Sequence, residues 1–298
     1  METVFVNLKD INGDINIKYT GIYDEKISKI MFLFWQIQEQ NEIFVAGIVF
    51  EMKEKNIVYI SILDSTGEFK PRNMQKGFIN GIILALLKYL SPTFLEVFSQ
   101  PKKEIIFGKS SKNTKKGFLN SHKLFKYWKN IFSEYICCEN KKEYKLYIHN
   151  NTDECNGIPY HRNTKLNDIY LFDDDPKQKL INNLEENVDI YNFFSVLLFR
   201  SDFSNGSLLF NVCPCKKHNS NINLEEFNLF DIKEILETLR GLDFSDYQNS
   251  LKSTIFFLKK YQLKSFLFKT SKSKLSENII ETPIEEQSFV KIKTKSKK

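Results

Sequence analysis

The chain has 298 residues, of which 42% are hydrophobic, and a formal net charge of +6. This length and apolar content can fill a substantial core, which excludes a wholly disordered chain and favours one elaborated domain. Lysine outnumbers arginine by 39 to 4 and only two alanines occur, a profile typical of an AT-rich genome. The positive charge therefore points to an acidic partner only where lysines cluster.

The lengths of the apolar runs and the spacing of the cysteines indicate the cellular compartment of the protein. No run approaches the roughly 18 residues of a membrane-spanning helix, and no signal peptide opens the sequence, so we expect a soluble intracellular protein with no membrane partner. Five cysteines without the spacing of a disulfide framework fit a reducing compartment. Cys213, Cys215 and His218 suggest zinc, but a tetrahedral site lacks a fourth ligand, so we expect no metal.

The first sixty residues are rich in β-branched and aromatic side chains separated by turn signals, which predicts a meander or central sheet. The predicted strands span residues 4–8, 15–19, 30–37, 43–52 and 57–63. The last strand runs into a polar turn, Asp-Ser-Thr-Gly at 64–67. After it, Pro71 and Arg72 begin a predicted helix with apolar residues at helical spacing, namely Met74, Phe78, Ile82, Leu86 and Tyr89.

The start of this helix is a candidate anion site. A helix N-terminus offers free backbone N–H groups to an anion such as a pyrophosphate, and Arg72 and Lys76 would add full positive charges. The alternative is a routine strand-to-helix connection with solvated charges. Neither G-x-G-x-x-G nor G-x-x-x-x-G-K-[ST] occurs in the chain, which argues against dinucleotide binding and against ATP binding by a P-loop.

Residues 102–116 contain six lysines and one glutamate. Such a loop is either a solvated face or a phosphate site in which ammonium and hydroxyl groups supply the hydrogen bonds. An amphipathic helix is predicted next, with Ser121 as its cap and an apolar face made of Leu124, Phe125, Trp128, Ile131, Phe132 and Tyr135.

The sequence of the second half of the chain predicts both strands and helices. We expect strands at 143–149, 169–172 and 207–212, a polar loop at 150–167, and helices at 176–186, 189–201, 229–239 and 247–261. From residue 270 onward the sequence is rich in lysine, serine and glutamate. We therefore expect one domain over residues 1–269 and a disordered basic tail over residues 270–298.

Three consecutive carboxylates, Asp173, Asp174 and Asp175, precede the helix predicted at residue 176. Adjacent carboxylates repel one another, which raises the proton affinity of at least one of them where water is excluded, and a general base needs such an affinity. The alternative is structural, because Asp175 followed by Pro176 is an ordinary helix start with an aspartate N-cap.

Three blocks of sequence together resemble one enzyme family. They are Asp-Ser-Thr-Gly at 64–67 with Arg72; Ser-Ser-Lys-Asn-Thr-Lys-Lys at 110–116, followed by Leu-Asn at 119–120 and Lys-Tyr-Trp at 126–128; and Leu-Phe-Asp-Asp-Asp-Pro-Lys at 171–177. In this order the blocks are similar to the fungal-type histone H3 lysine acetyltransferases, the regulator of Ty transposition family. With Phe193, Phe194 and Arg200, the resemblance covers most of residues 40–215.

The resemblance implies an α/β (α+β) fold in which a central mixed sheet, wrapped by helices, binds acetyl-coenzyme A much as the CBP-type acetyltransferases do. It places the contacts to this cosubstrate on Leu63, Asp64, Ser65, Arg72, Asn73, Met74, Gln75, Lys76, Phe98, Lys102, Gly117, Phe118, Leu119 and Tyr127. The chain departs from the family pattern at Tyr127, where a tryptophan is usual, at Gly117, where a histidine is usual, and at Gln100, where an arginine is usual.

By the same resemblance, the catalytic residues would be Asp175, Asp174, Asp64 and Trp128, with Asp175 transferring the proton, and Lys177 would itself be acetylated. The implied activity is acetylation of lysines of histone H3, at a core-entry lysine and on the tail. The implied partners are the H3–H4 dimer and histone chaperones of the anti-silencing and nucleosome-assembly types. The implied setting is the nucleus, in chromatin assembly, genome stability, the DNA damage response and transcription regulation. The alternative is a non-catalytic basic module that binds chromatin or nucleic acid.

Overall fold

The computed structural model describes residues 16–53, 57–90, 92, 94–138, 144–149, 164–172, 176–182, 188–199, 208–214 and 227–268. Within these ranges one sheet contains nine strands: β1 (Ile17–Asp24), β2 (Lys29–Gln38), β3 (Asn41–Lys53), β4 (Ile57–Ser65), β5 (Phe94–Ser99), β6 (Tyr144–His149), β7 (Leu208–Pro214), β8 (Asn228–Leu229) and β9 (Phe266–Phe268). The helices are α1 (Gln75–Leu90), α2 (Ser121–Cys138), α3 (Pro176–Ile181), α4 (Ile190–Leu198), α5 (Ile232–Gly241) and α6 (Tyr247–Tyr261).

The strands follow the order β6-β7-β5-β4-β3-β2-β1-β8, and β9 also pairs with β1. Most neighbours are antiparallel, but β1 and β8 run parallel, and so do β4 and β5, between which helix α1 forms the crossover. Parallel neighbours need such a crossover because the chain must return to the same end of the sheet. The fold is therefore the mixed α/β sheet wrapped by helices that the sequence predicted.

Strand β2 illustrates why helices cover both faces of the sheet. Residues 30–35 are apolar at every position, and successive side chains of a strand point to opposite faces. The even-numbered side chains belong to a core that includes α1 and α2, and the odd-numbered ones to a core that includes α5 and α6. Burial of each such side chain contributes roughly 1.5–3 kcal/mol.

A third core covers β4, β5 and β7. Tyr59 and Leu209 of the sheet pack there with Phe172, just before α3, and with Phe193 of α4. The rings of Tyr59 and Phe172 are stacked with their centroids 4.4 Å apart. The Nζ of Lys53 donates a hydrogen bond to the carbonyl oxygen of Leu171, which also holds this segment against the sheet.

Several predicted elements are confirmed. The strands expected at 15–19, 30–37, 43–52, 57–63, 143–149 and 207–212 are β1, β2, β3, β4, β6 and β7, and the helix expected at 247–261 is α6. Helix α1 begins at Gln75, after a 3-10 turn at Arg72–Met74. The strand predicted at 4–8 and the tail predicted at 270–298 lie outside the described residues.

Three local predictions were wrong. Residues 169–172 do not form a strand, because a ring stack and a lysine hydrogen bond hold them in place of a ladder. The cap of α2 is Asn120 and not Ser121, since the backbone N–H of Lys123 donates to Asn120 Oδ1 at 3.0 Å. Helix α5 begins only at Ile232, because Asp231 caps it by accepting from two backbone N–H groups of its first turn.

Three strands, β5, β8 and β9, were not predicted at all. The six residues of β5 carry a glutamate, Glu96, in their middle, which interrupts the apolar pattern of a buried strand. Strands β8 and β9 have two and three residues, too few to show any periodicity. No helix in the described part of the chain is both long and apolar enough to cross a membrane.

The C-terminal helices α5 and α6 hold the loop that follows β5. Gly108 donates its backbone N–H to the carbonyl oxygen of Leu239 at 3.1 Å and accepts from the N–H of Phe244 at 2.9 Å. Lys109 forms an ion pair of 3.0 Å with Asp243. Hydrogen bonds from Ser245 and from Lys109 lower the pKa of Asp243 to about 2, so this carboxylate is ionised at neutral pH.

Gly108→Ala tests this contact. A Cβ at this position would lie 2.1 Å from the carbonyl oxygen of Arg240 and 2.4 Å from that of Leu242. Because backbone atoms cannot rotate away, we expect a destabilisation at or above the upper end of the roughly 1–3 kcal/mol typical of overpacking. Thermal unfolding measures it. Gly241→Ala is the control, since its Cβ would meet nothing within 4 Å. Equal melting temperatures for the two variants would contradict the contact.

Candidate functional site

A cavity of about 900 Å³ opens at the carboxyl ends of the two parallel strands β4 and β5. Residues 63–65 of β4, residues 98–100 at the end of β5, and the first turn of α1 all line it. In sheets with parallel strands and helical crossovers, ligands bind in the crevice outside the carboxyl ends of the strands. The fold therefore places the cavity where a ligand is expected.

The cavity is strongly basic. Among the described residues that line it, one carries a carboxylate, Asp64, and nine carry cationic side chains: Arg72, Lys76, Lys102, Lys115, Lys116, Lys123, Lys126, Lys179 and Arg240. Clefts lined by one sign of charge focus the electrostatic potential and attract ligands of the opposite sign. The cavity therefore suits a ligand with several negative charges, such as phosphate groups.

Asp64, at the end of β4, organises one wall of the cavity. Its Oδ2 accepts hydrogen bonds from three consecutive backbone N–H groups, those of Ile105, Ile106 and Phe107, at 3.0, 2.8 and 3.2 Å. Its Oδ1 accepts from the N–H of Ser65 and from the ammonium group of Lys116. This full set of donors gives Asp64 a structural task, and its catalytic role stays a prediction.

A second buried carboxylate, Glu68, holds the lysine-rich loop in place. It is only 1% exposed, and it accepts from the Nδ2 of Asn113 at 2.7 Å and from the Nζ of Lys115 at 2.8 Å. Asn113 also donates to the carbonyl oxygen of Thr66 at 3.0 Å. Lys115 and Lys116, which follow the 3-10 turn at Ser110–Lys112, thus line the cavity and are not only part of a solvated face.

The candidate anion site that the sequence suggested lies at the 3-10 turn Arg72–Met74 and the first turn of α1. Arg72, Gln75 and Lys76 line the cavity, and no acidic side chain lies in the first turn. Pro71, before the 3-10 turn, provides no side-chain cap. The partial positive charge of the helix N-terminus is therefore not neutralised by the helix's own residues, and it adds to the two full charges.

Two aromatic residues of α2 complete the described wall. Trp128 is 2% exposed; its Nε1 donates to Ser99 Oγ at 2.9 Å, and its ring stacks on Phe132 with centroids 5.6 Å apart. These contacts fix the indole ring. Tyr127 is half-buried beside it, and burial raises the pKa of its phenol. The Tyr127 hydroxyl therefore remains protonated at neutral pH.

The structure brings most of the predicted cosubstrate contacts together. Eleven of them line the cavity: Leu63, Asp64, Ser65, Arg72, Gln75, Lys76, Phe98, Lys102, Gly117, Leu119 and Tyr127. Trp128, one of the predicted catalytic residues, lines it too. Asn73 and Phe118 do not, and the side chain of Met74 is not described. The Phe118 ring is 43% exposed, and Lys103 Nζ lies 5.5 Å from its centroid.

The predicted catalytic residues Asp174 and Asp175 lie outside the described residues. The next residue in the chain, Pro176, lines the cavity, and so does Lys179 one turn later in α3. The start of α3 is therefore part of the site. The contribution of Asp174 and Asp175 to proton transfer stays a prediction.

Lys177, predicted to be acetylated, is fully buried and paired. Its Nζ forms an ion pair with Glu96 Oε1, and both side chains are 0% exposed. Glu96 and Asn211 are directly opposite each other on β5 and β7, and the Nδ2 of Asn211 donates to Glu96 Oε2 at 2.6 Å. This pair fixes α3 to the sheet, so it positions Pro176 and Lys179 at the cavity.

Sequence reasoning missed several cavity residues. Lys126 and Tyr127 follow Lys123 by three and four residues on the same helix, and this i, i+3 and i, i+4 spacing could have placed both lysines near the face of Tyr127. Ser99, Lys179 and Arg240 carried no such signal, because only the fold brings their elements to the cavity. Among the described residues no group of three or more His, Cys, Asp or Glu could hold a metal ion. The side chain of Cys213 is not described, and Cys215 and His218 lie outside the described ranges.

No family model matches the chain. The histone acetyltransferase RTT109 of Candida albicans is 25% identical to it over 171 residues, which are 50% of this chain and 47% of that protein. The match thus spans about half the length of the curated relative.

The fold of the chain is similar to that of Rtt109 from Aspergillus fumigatus, with a TM-score of 0.64 and 14% identity over 90% of this chain and 99% of the other. A Bacillus subtilis acetyltransferase is also similar, but its TM-score of 0.28, with 8% identity over 67% of this chain and 99% of the other, is too low to support an argument. The first two matches confirm the resemblance to the fungal Rtt109-type acetyltransferases.

The buried pair of Glu96 and Lys177 gives a test of the site's architecture. Glu96→Gln removes a carboxylate that pairs with a fully buried ammonium group, which we expect to cost about 3–5 kcal/mol in the free energy of unfolding. Lys177→Met should cost a similar amount. The double variant Glu96→Gln/Lys177→Met removes both charges and should recover most of this loss. Urea unfolding of the four proteins measures the coupling; additive losses in the double variant would contradict the pairing.

Proposed function

We propose that this chain is a lysine acetyltransferase that uses acetyl-coenzyme A and acts on histone H3. One observation carries the proposal: residues of the three blocks at 64–72, 110–128 and 171–177, which are far apart in the sequence, line the same basic cavity, the third block through Pro176. The named activity of the Candida albicans relative, histone acetylation, supports the same reaction.

The residues that would hold acetyl-coenzyme A fit its chemistry. Arg72, Lys76 and the N-terminus of α1 suit the phosphates, since they offer charge-assisted hydrogen bonds to an anion. Leu63, Phe98 and Leu119 offer apolar contacts to the part of acetyl-coenzyme A that carries no phosphate. The bound cosubstrate supplies the acetyl group as a thioester.

Proton removal is the task left to the protein. A free lysine is protonated at neutral pH, with a reference pKa of about 10.4, so a substrate lysine must lose a proton before it attacks the thioester carbon. Asp64 is occupied by amides and by Lys116, and the Tyr127 phenol keeps its proton. We therefore assign the proton acceptor to Asp175, with Asp174 drawing in the cationic lysine.

The substrate and its setting belong to the same proposal. We propose a core-entry lysine and tail lysines of histone H3 as targets, and the H3–H4 dimer presented by chaperones of the anti-silencing and nucleosome-assembly types as the substrate complex. The setting is the nucleus, in chromatin assembly, genome stability, the DNA damage response and transcription regulation. Mass spectrometry of H3–H4 incubated with the protein and acetyl-coenzyme A, with and without each chaperone, tests both the sites and the chaperone requirement.

Acetylation of Lys177 is a further part of the proposal. It would remove the ammonium charge that pairs with the buried carboxylate of Glu96. Acetylation therefore requires that Glu96 take up a proton or that α3 shift. Mass spectrometry of the purified protein after incubation with acetyl-coenzyme A detects the modification.

The first functional test is cosubstrate binding. Arg72→Ala should weaken acetyl-coenzyme A binding by about 1–3 kcal/mol, the range for a lost charge-assisted hydrogen bond. Isothermal titration calorimetry measures the change, with Lys112→Ala as a control, because Lys112 is exposed and does not line the cavity. An unchanged Kd in Arg72→Ala would place the phosphates elsewhere. Wild-type protein that binds no acetyl-coenzyme A would favour the basic chromatin-binding or nucleic-acid-binding module.

The second test concerns Asp175. Asp175→Asn should lower turnover on H3–H4 roughly 10²-fold or more, as the loss of a general base typically does. Asparagine caps helices about as well as aspartate, so the melting temperature should not change. Full activity in this variant would mean that Asp175 only caps the helix after it.

A further inference from the structure

Arg240, in the last turn of α5, lines the basic cavity although no motif of the sequence points to it. Its Nε donates a hydrogen bond to the carbonyl oxygen of Ile105 at 2.9 Å, across 135 residues of sequence. Arg240 and Arg72 are two of the four arginines in a chain with 39 lysines, and both line this cavity. Arginine differs from lysine in its planar fork of donors, which matches a phosphate in two places.

The position of Arg240 is fixed from both sides. The backbone around it packs against Gly108, where a Cβ would lie 2.1 Å from the carbonyl oxygen of Arg240. Its hydrogen-bond partner, Ile105, donates its own backbone N–H to Asp64 Oδ2 at 3.0 Å. The guanidinium group is thus tied to the segment that Asp64 organises, so a ligand would meet it without reordering the chain.

The charge of Arg240 is not neutralised by the described part of the protein. Lys115 and Lys116 of the same cavity each face a carboxylate, whereas no carboxylate of a described residue forms an ion pair with Arg240. With Nε committed to Ile105, its two terminal NH2 groups still offer donors. A cation in the last turn also suits the dipole of α5, but the hydrogen bond goes to another segment and not to the carbonyl groups of α5.

We propose that Arg240 binds a phosphate group of the cosubstrate, so that the C-terminal helix α5 contributes directly to the acetyl-coenzyme A site. This inference rests on the proposed function. It assigns to a residue outside the three sequence blocks a bidentate contact with either the 3′-phosphate or the pyrophosphate of coenzyme A. The 3′-phosphate and the pyrophosphate are both anionic phosphate groups, and the two ligands used in the test distinguish between them.

The test compares Kd values of the full chain for coenzyme A and for dephospho-coenzyme A, which lacks the 3′-phosphate, by isothermal titration calorimetry. Arg240→Gln should weaken coenzyme A binding by about tenfold or more, the effect of a lost charge-assisted contact. Arg240→Lys, which keeps the charge but loses the fork, should lie between it and the wild type. A loss seen only with coenzyme A assigns the 3′-phosphate; an equal loss with both ligands assigns the pyrophosphate.

Lys233→Gln is the matched control, because it removes one positive charge from an exposed position of the same helix that does not line the cavity. It should leave both Kd values unchanged. If Arg240→Gln and Arg240→Lys lower the melting temperature but bind coenzyme A as the wild type does, Arg240 is only a structural tether and the inference fails. If the wild-type protein itself binds neither ligand, the proposed function fails as well.

Discussion

The site depends on the hydrogen bonds that the carboxylate of Asp64 accepts. This carboxylate lies at the end of β4, and its two oxygens accept from four backbone N–H groups and one lysine. Three of those N–H groups belong to consecutive residues of a loop 41 to 43 positions further along the chain. A buried carboxylate is stable only when such donors replace water. Because the donors come from the loop after β5, satisfying the carboxylate also builds the cavity wall.

The C-terminal helices α5 and α6 also hold the loop after β5 in place. Their contact through Gly108 and the ion pair of Lys109 with Asp243 hold the same loop from the outside. Lys70 and Lys115 also lie 4.9 and 5.7 Å from the ring centroid of Tyr247, at the start of α6. The loop is therefore positioned between the end of a strand and a helical pair that is distant in sequence, and this arrangement brings Arg240 to the cavity.

Two kinds of buried ion pair lie at or near the cavity. Asp64 and Glu68 hold lysines that line the cavity, so their pairs both shape the wall and reduce its net charge. Glu96 and Lys177 lie entirely inside, beneath α3, where the desolvation cost is largest and either partner alone would be strongly destabilising. The cavity keeps a large excess of cations beyond these pairs. That excess suits a ligand with several negative charges, as the proposed function requires.

The sequence by itself determined the early strands, the helix at 247–261 and the three blocks that carry the family resemblance, because these depend on local periodicity and on contiguous motifs. It also indicated the anion site at Arg72 and Lys76. Only the tertiary structure decided that β5 is a central strand with a buried glutamate, since Glu96 is acceptable there only with Lys177 and Asn211 as partners. It likewise decided that the lysine loop forms a wall, that Asp64 is saturated with donors, and that Arg240 reaches the cavity. Each of these facts depends on contacts between residues far apart in the chain, which no local pattern encodes.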